Sequence, residues 1–455
     1  MQINVLKFGG TSMNDHQTWK QVLNIIEQYE YPVVVVSATA RTTRQLVKIA
    51  QLAAEGKSEQ AEEISNGIRE RHITLIEEFL KENDSSKNAL ILQSCIKKID
   101  EKISKLNKLL HYIEKSGELL PQMKDAVASI GEQISSYLLA QCGLAVNQMT
   151  QHIEARRIIK TDKEYGRANP NLFQINQHCG SLETVLENGF TPIIGGFYGE
   201  APDKTITTLG FEGSDYTASL LGGALNAASI EIWTDVSGIY TSDPRSIADA
   251  QPIPELSYFD ATEMAYFGAK VLHPSTLKPA QERNIPVLVK NIFSPKEEGS
   301  RIVRESNHDR EVLALSFKGD IATVTVSAYE TVMGYSFLTK VFEVLENYRL
   351  AVDAVNTTEA SVTIALDNSD MLDKLSKEFI EIGNVSIENK KGIITLIGCS
   401  VNSVQVLTDR IFKAVGNVDV DLLSFSKEKR ILNLVLNEDQ LVESTQKIHK
   451  SLFSK

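Results

Sequence analysis

The chain is short of paired cysteine, of long apolar runs and of positive charge, and each shortage removes a class of protein. Its four cysteines, Cys95, Cys142, Cys179 and Cys399, are scattered over 455 residues with no CxxC spacing. That pattern argues against a disulfide framework and against a zinc site. No apolar run approaches the roughly 18 residues that a membrane-crossing helix needs. The formal charge is −12, so neither nucleic acid nor an anionic membrane is expected as a general partner, because both favour a basic surface. A local basic pocket for a nucleotide stays open. The opening MQINVLKFGG passes directly into a strand and a glycine turn, so no secretory leader is expected and the cytoplasm is the expected compartment. What is present, 42% hydrophobic and 23% charged residues, is the balance of a globular protein long enough for two or three domains.

Residues 3–8 read as a buried strand ending in Gly9-Gly10-Thr11-Ser12, with Lys7 directly before the glycines. Backbone N–H groups of such a turn can approach phosphate oxygens, and the lysine adds a mobile charge. A Walker A loop places its lysine after the glycines, and a plain turn is the simpler reading. Residues 32–37 are nearly continuous in β-branched side chains, as in a parallel strand covered on both faces. They lead into Ala38-Thr39-Ala40-Arg41-Thr42-Thr43-Arg44, either an anion-facing loop or a solvated one. Loops beyond the carboxyl ends of such strands are where α/β proteins hold ligands. Residues 45–141 read as predominantly helical, with Ile96, Ile99, Ile103, Leu106, Leu110 and Ile113 marking one buried face. Glu132, between Gly131 and an apolar helix, is either a first-turn carboxylate or a partner for an ammonium group.

Residues 144–149, 191–197, 229–233 and 286–291 read as further strands alternating with helices. The segment 207–218 holds two glycines, a hydroxyl and a carboxylate at a helix start, an arrangement suited to anions. Ser214 or Asp215 can cap that helix. The strand from Ser229 runs on into Thr234, Asp235, Tyr240 and Arg245, which can hold a nucleotide through base, ribose and phosphate. Asp243-Pro244 is otherwise an ordinary turn signal. Residues 267–274 set a second lysine, Lys270, beside a glycine; His273, before a proline, reads as structural rather than as a base. After residue 300 the texture changes. Strand-like 312–317 and 321–327, a helical pattern through Phe337 and Leu345 and a strand at 361–366 are followed by a similar order at 393–436. Two small βαβ-type modules therefore follow the large α/β domain.

Six pieces, in order, carry a resemblance to aspartate kinases with paired ACT regulatory domains. They are Lys7-Phe8-Gly9-Gly10-Thr11-Ser12, Gly131-Glu132, Tyr165-Gly166-Arg167-Ala168, residues 210–218, residues 233–245 and residues 267–274. With the C-terminal modules the resemblance spans essentially the whole chain. It implies an α/β amino-acid-kinase fold, an open mainly parallel sheet between helical layers, over residues 1–300. Two ferredoxin-like ACT modules would fill 301–455, the first at about 320–385 and the second at about 391–455 with strand 312–317. The implied reaction moves the ATP γ-phosphoryl group to the side-chain carboxylate of L-aspartate, giving 4-phospho-L-aspartate for lysine, threonine and methionine biosynthesis. A carboxylate nucleophile is already ionised at neutral pH, so alignment and charge neutralisation are the work required.

The same resemblance implies that Lys7 and Lys270 hold ATP phosphates, with Gly9 and Gly10 as backbone donors and Asp215 orienting the lysines. It makes Thr234, Asp235, Tyr240 and Arg245 the nucleotide site and Glu132 the ammonium partner, with Thr43, Phe197 and Ser214 lining the aspartate site. Mg²⁺ would arrive bridging the ATP phosphates, with no protein metal cage expected. Asp353 and Glu359, near Met333, Phe337, Leu338 and Thr358, would hold an amino-acid effector such as lysine or threonine, and the ACT modules would form a homodimer.

Two departures stand out. Members of the family usually carry an arginine that grips the aspartate α-carboxylate where this chain has Phe211, and a glycine where it has Glu212. They usually carry glycine and asparagine where it has Arg41 and Arg44. One of these arginines is expected to replace the lost guanidinium. The alternatives are an amino-acid kinase of the same fold with a shifted acidic substrate, or a non-catalytic amino-acid sensor. Lys7, Glu132, Asp215 and Lys270 together argue against the sensor, which needs no phosphate apparatus.

Overall fold

The computed structural model describes residues 1–83, 86–267, 274–306, 310–329, 335–348, 350, 352–358, 360–367, 371–399 and 404–454. They form two compact units. The first comprises Met1–Ile239, Pro254–Tyr258 and Leu272–Ser306, and the second Tyr240–Ile253, Phe259–Val271 and Asn307–Lys455. A single division near residue 300 therefore misses part of the second unit. The segment after Tyr240 is tied to the chain's last helix, where the Thr241 hydroxyl meets His449 Nε2 at 2.9 Å and the Gln251 amide donates to the Phe453 carbonyl at 2.9 Å.

The first unit is built on an eight-stranded sheet. Its order is Thr150–Ile153, Thr191–Gly195, Pro32–Val36, Asn4–Phe8, Ser229–Thr234, Val287–Asn291, Ser300–Val303 and Glu255–Ser257. Every neighbouring pair is parallel except Val287–Asn291 with Ser300–Val303. Pro32–Val36 is buried at all five positions, as its unbroken apolar sequence requires of a central parallel strand. Helices Leu172–Glu187, Gly213–Ala224 and Pro274–Arg283 lie on one side. His16–Ile26, Thr42–Ala54, Ser58–Lys81, Asn88–Ser116 and Ile130–Ala145 pack with the sheet into a single large core on the other.

Local readings hold with informative exceptions. In Asn88–Ser116 the buried face carries Ile99, Ile103, Leu106, Leu110 and Ile113, but Lys102 is buried with them and Ile96 only partly covered. Residues 144–149 are not a strand. The Ile130–Ala145 helix extends through Ala145 and a turn follows, because Leu144 and Ala145 continue the helix's apolar pattern; the strand begins at Thr150, whose hydroxyl donates to Ala140 O at 2.7 Å. Neither Ser214 nor Asp215 caps Gly213–Ala224. Glu212 precedes that helix with φ +52°, and both polar residues lie in its first turn.

The order of the sheet reverses around Asn4–Phe8, which has Pro32–Val36 on one side and Ser229–Thr234 on the other. Phe8 stands level with Val36 and Trp233. The loops leaving these strands therefore open at one carboxyl edge, at a topological switch point.

The second unit holds a six-stranded antiparallel sheet, ordered Val352–Thr357, Ser361–Asp367, Ala314–Ala328, Gly383–Ile397, Ile431–Asn437 and Val420–Ser426. The stretches 312–317 and 321–327 join into the single strand Ala314–Ala328, with a register shift between Lys318 and Ile321. Its second half pairs with Ser361–Asp367 and with the start of Gly383–Ile397, while its first half pairs with residues 393–397. Two cores result. Val324, Val326, Val341, Ile364, Leu375 and Phe379 define one, and Val312, Leu315, Leu396, Leu407, Leu434 and Ile448 the other. Each half has the four-strand, two-helix order of a ferredoxin-like module, and the second takes its last strand from the residues that precede the first.

Candidate active site

Lys7 stands at this edge, one residue before its strand ends. Its ammonium lies 2.7 Å from Asp215 Oδ1, both side chains almost fully covered. The contact is an ion pair without hydrogen-bond alignment, since Oδ1 accepts no hydrogen bond. A Cβ on Gly9 would stand 3.5 Å from the Lys7 ammonium, so the glycine keeps the approach to that charge open. Gly9 itself donates its N–H to Trp233 O at 3.2 Å. That correction removes it as a phosphate donor and leaves Gly10, which lines the adjoining cleft.

The cleft has a volume of about 600 Å³ and lies wholly in the first unit. Its walls bring together Arg41, Thr43, Arg44, Glu132, Phe197, Ser214 and Asp215, together with Phe211 and Glu212. These residues come from four separate segments of the chain.

Glu132 forms the floor of the cleft. Ser135 donates its hydroxyl to Ser37 O at 2.8 Å and pins the helix to the strand end. A side chain at Gly131 would come within 2.7 Å of Ala38 Cβ, so only glycine permits this approach. The Glu132 carboxyl is 3% exposed, and its Oε2 has no hydrogen-bond partner. Burial pushes its pKa up to about 8, against the opposing pull of the Ala38 N–H. A buried carboxyl oxygen left without a donor calls for a cation from outside.

On the facing wall, Phe197 adopts φ +77°. Its N–H donates to Thr217 Oγ1 at 3.0 Å and its carbonyl accepts from Leu209 N at 2.8 Å. A Cβ on Gly196 would meet Ser214 Cα at 2.7 Å, which sets Ser214 close against this turn. Phe211 is 77% exposed.

Arg41 also has a left-handed backbone, φ +69°, just before the Thr42–Ala54 helix. The loop behind it is clamped by Arg71, which donates to Ala40 O at 3.2 Å and to the hydroxyls of Thr39 and Thr42. His72 Nε2 meets the Thr39 hydroxyl at 3.0 Å, and burial pushes its pKa down to about 4. Strain in a loop held this firmly is a mark of a functional position. Among the described residues, neither Arg41 nor Arg44 forms an ion pair. Sequence reasoning missed Arg71, His72 and Asp125. All three sit inside ordinary helical stretches, where nothing marks them as supports.

The remaining expected residues are spread more widely. Thr234 donates its hydroxyl to Asp235 Oδ1 at 3.1 Å, at the end of the strand beside Lys7. Tyr240 and Arg245 belong to the second unit, where Arg245 forks onto Asp243 at 3.0 and 2.8 Å. Lys270 and His273 lie outside the described residues, as do Met333 and Glu359. In the second unit Phe337 is a core residue and Leu338 packs against it. Thr358 closes a turn onto Ser361 at 2.7 Å. Asp353 is not available as a bare carboxylate, because Lys318 lies 3.2 Å away and reaches Asp367 at 2.5 Å as well. Burial raises the Asp353 pKa and Lys318 opposes that rise.

An open parallel sheet with a lysine–carboxylate pair and an unsatisfied buried carboxyl at its switch point defines a phosphotransferase for a small amino compound. Comparison with known proteins agrees. Residues 2–291 match the amino acid kinase family. Aspartokinase 2, chloroplastic, of Arabidopsis thaliana is 30% identical over 99% of this chain and 84% of its own length. Lysine-sensitive aspartokinase 3 of Escherichia coli is 29% identical over 99% of both. The structure of E. coli aspartokinase III in complex with aspartate and ADP superposes with a TM-score of 0.83 at 28% identity, covering 99% of this chain and 100% of that one. The chain belongs to the amino acid kinase family and, within it, to the aspartokinases.

Proposed function

We infer that this chain is an ATP-dependent aspartate kinase acting in the cleft lined by Glu132, Ser214 and Asp215, the last paired with Lys7. The observation that carries the reading is a cavity lined both by a buried carboxyl with an unpartnered oxygen, Glu132, and by Asp215, whose carboxylate pairs with the covered Lys7 ammonium. The first accepts an ammonium group and the second meets transferring phosphate, which are the two ends an acidic amino acid and a nucleotide present. E. coli aspartokinase III, similar over its full length, is known in complex with aspartate and ADP, and this supports the assignment.

In this reading Glu132 holds the substrate ammonium, and Thr43, Ser214 and the Phe197 turn position its side chain toward Lys7. Lys7 neutralises charge on the phosphoryl group as it moves, and Asp215 keeps that ammonium in place while both anions approach. Thr234 and Asp235, leaving the neighbouring strand, hold the nucleotide. Arg41 or Arg44, both lining the same cleft as Phe211, supplies the cation for the α-carboxylate. Lys270, by family likeness, adds a second phosphate-facing charge. Mg²⁺, brought by ATP, would lower the charge on the phosphates. No described helix is long and apolar enough to cross a membrane.

For regulation we propose lysine as effector and a homodimer formed by the second unit. E. coli aspartokinase III is known in complex with lysine and aspartate, and Val352–Thr357 and Val420–Ser426 are edge strands able to pair with another copy. Sedimentation at micromolar concentration gives a dimer mass if this holds and a monomer mass if it does not. The catalytic reading is tested by hydroxylamine trapping of the acyl phosphate with ATP and aspartate, glutamate or aspartate lacking its α-carboxylate. Hydroxamate formed from aspartate is expected. ATP binding without turnover, or turnover of an analogue alone, overturns it.

A further inference from the structure

A second cleft of about 450 Å³ opens in the first unit, on the flank where the Asn88–Ser116 helix passes the Thr150–Ile153 strand. It is lined by five cationic side chains and three carboxylates, a local positive excess in a chain of net charge −12. Three of the cations are neutralised in place. Lys98 lies 2.9 Å from Glu101, Arg156 lies 3.3 Å from Glu154, and Lys160 lies 2.8 Å from Glu200.

The other two are not. Lys102 is only 6% exposed, and its ammonium donates to the neutral amide of Gln133 at 2.8 Å. It forms no ion pair among the described residues, which leaves a covered ammonium with donors to spare. Arg157 likewise forms no ion pair there, and its guanidinium stands at the mouth. His152 lines the same cleft, and its Nε2 is covered and without a hydrogen-bond partner. Burial keeps its ring neutral, with a pKa of about 4, so Nε2 can serve as donor or acceptor. Burial pulls the Lys102 pKa down, with Glu154 and Glu101 opposing only in part, and a buried ammonium without a paired anion is costly unless an anion joins it.

The cleft is also connected to the catalytic one. Gln133, which holds Lys102, follows Glu132 directly in the chain. Tyr198, which donates to Glu154 Oε1 at 2.9 Å, follows Phe197. Two contacts thus run from this flank to the residues beneath and beside the proposed aspartate site.

We propose that this cleft binds a small, multiply charged oxyanion, phosphate or a phosphate monoester, on Lys102, Arg157 and His152, and that its occupancy is felt at Glu132 through Gln133. The second half rests on the aspartate kinase reading; the first does not.

The test is calorimetry on the full chain saturated with ADP, so that the catalytic cleft is filled, titrated with orthophosphate and separately with glycerol 3-phosphate. Submillimolar binding of either supports the site, and the tighter of the two identifies the source. Arg157→Ala, at an exposed position, should weaken binding by roughly tenfold, and Lys102→Met should remove it. Absence of binding below about 10 mM, or equal binding by wild type and Arg157→Ala, overturns the site. Steady-state kinetics then test transmission. Orthophosphate should change the KM for aspartate with kcat little altered, and Arg157→Ala should lose that response. A KM indifferent to phosphate when calorimetry shows binding overturns transmission alone, and lack of any aspartate turnover counts against the catalytic reading while the calorimetric result still stands.

Discussion

Asp125 accepts a hydrogen bond from the Thr208 N–H at 2.8 Å and another from the Thr208 hydroxyl at 2.9 Å, and a third from the Gly166 N–H at 2.9 Å. One buried carboxylate therefore ties the 165–168 loop to the strand that leads into the 210–215 turn. Asp125→Ala leaves three donors without an acceptor. We predict a loss of about 2–4 kcal/mol, read as a lower Tm for the first unit, and a higher KM for aspartate because the Gly210–Asp215 turn loses its anchor. An unchanged Tm would show that the loop is held by other contacts.

The Glu132 pKa of about 8 makes substrate binding depend on proton release. Folding raises this pKa above its ordinary 4.5, so the folded chain holds a proton that the unfolded chain gives up between those values. The ligand-free protein consequently loses stability as pH rises from about 5 to 8, and Glu132→Gln flattens that slope. Aspartate needs the ionised form. Its KM should fall by about tenfold per pH unit as pH rises toward 8, and this trend should vanish in Glu132→Gln, whose KM is higher throughout. A wild-type KM that is level from pH 6 to 8 overturns the raised pKa, and a KM unchanged in Glu132→Gln rules out Glu132 as the ammonium partner.

Arg41 and Arg44 line the cleft without ion-pair partners among the described residues, in company with Phe211, which cannot bind a carboxylate. Replacing the clamping arginine with alanine should raise the KM for aspartate by roughly 10- to 100-fold, about 1.4–2.8 kcal/mol, with a smaller change in kcat. The same substitution should leave the KM for aspartate lacking its α-carboxylate unchanged. If neither single variant alters the aspartate KM, both side chains are solvent groups and the α-carboxylate is held elsewhere.

Lys318 already occupies the Asp353 and Asp367 carboxylates, so an incoming ammonium group has to compete with it. Lys318→Met should lower the lysine concentration that halves the initial rate, by about fivefold if the pair resembles a partly exposed ion pair of roughly 1 kcal/mol. Inhibition curves that coincide for wild type and variant would place the effector away from Asp353.

Much of the fold is legible along the chain because its signals are local. The β-branched run at Pro32–Val36, the glycine pair after Phe8 and the three-and-four spacing from Ile99 to Ile113 each announce their element. The site is legible only in part. Lys7, Glu132 and Ser214 carry motifs that can be recognised, whereas Asp125 and Arg71 act across long sequence separations from positions that look like any helical surface. Gly9 illustrates a different limit. Its neighbour in the sheet is Trp233, whose carbonyl takes the N–H that the turn would otherwise offer, and no linear pattern records that pairing. The Leu144–Ala145 misreading is similar, since a short apolar stretch fits a helix end and a strand equally well.

The strand Ala314–Ala328 serves two masters, with its halves stitched to different modules. During synthesis its first half emerges well before residues 393–397, the only stretch of Gly383–Ile397 that can register against it, and it must wait as an open edge until they arrive. The regulatory unit is therefore a woven object rather than a string of beads. A chain clipped near residue 390 would not shed one module and keep the other, but would leave a frayed strand in the module that remained.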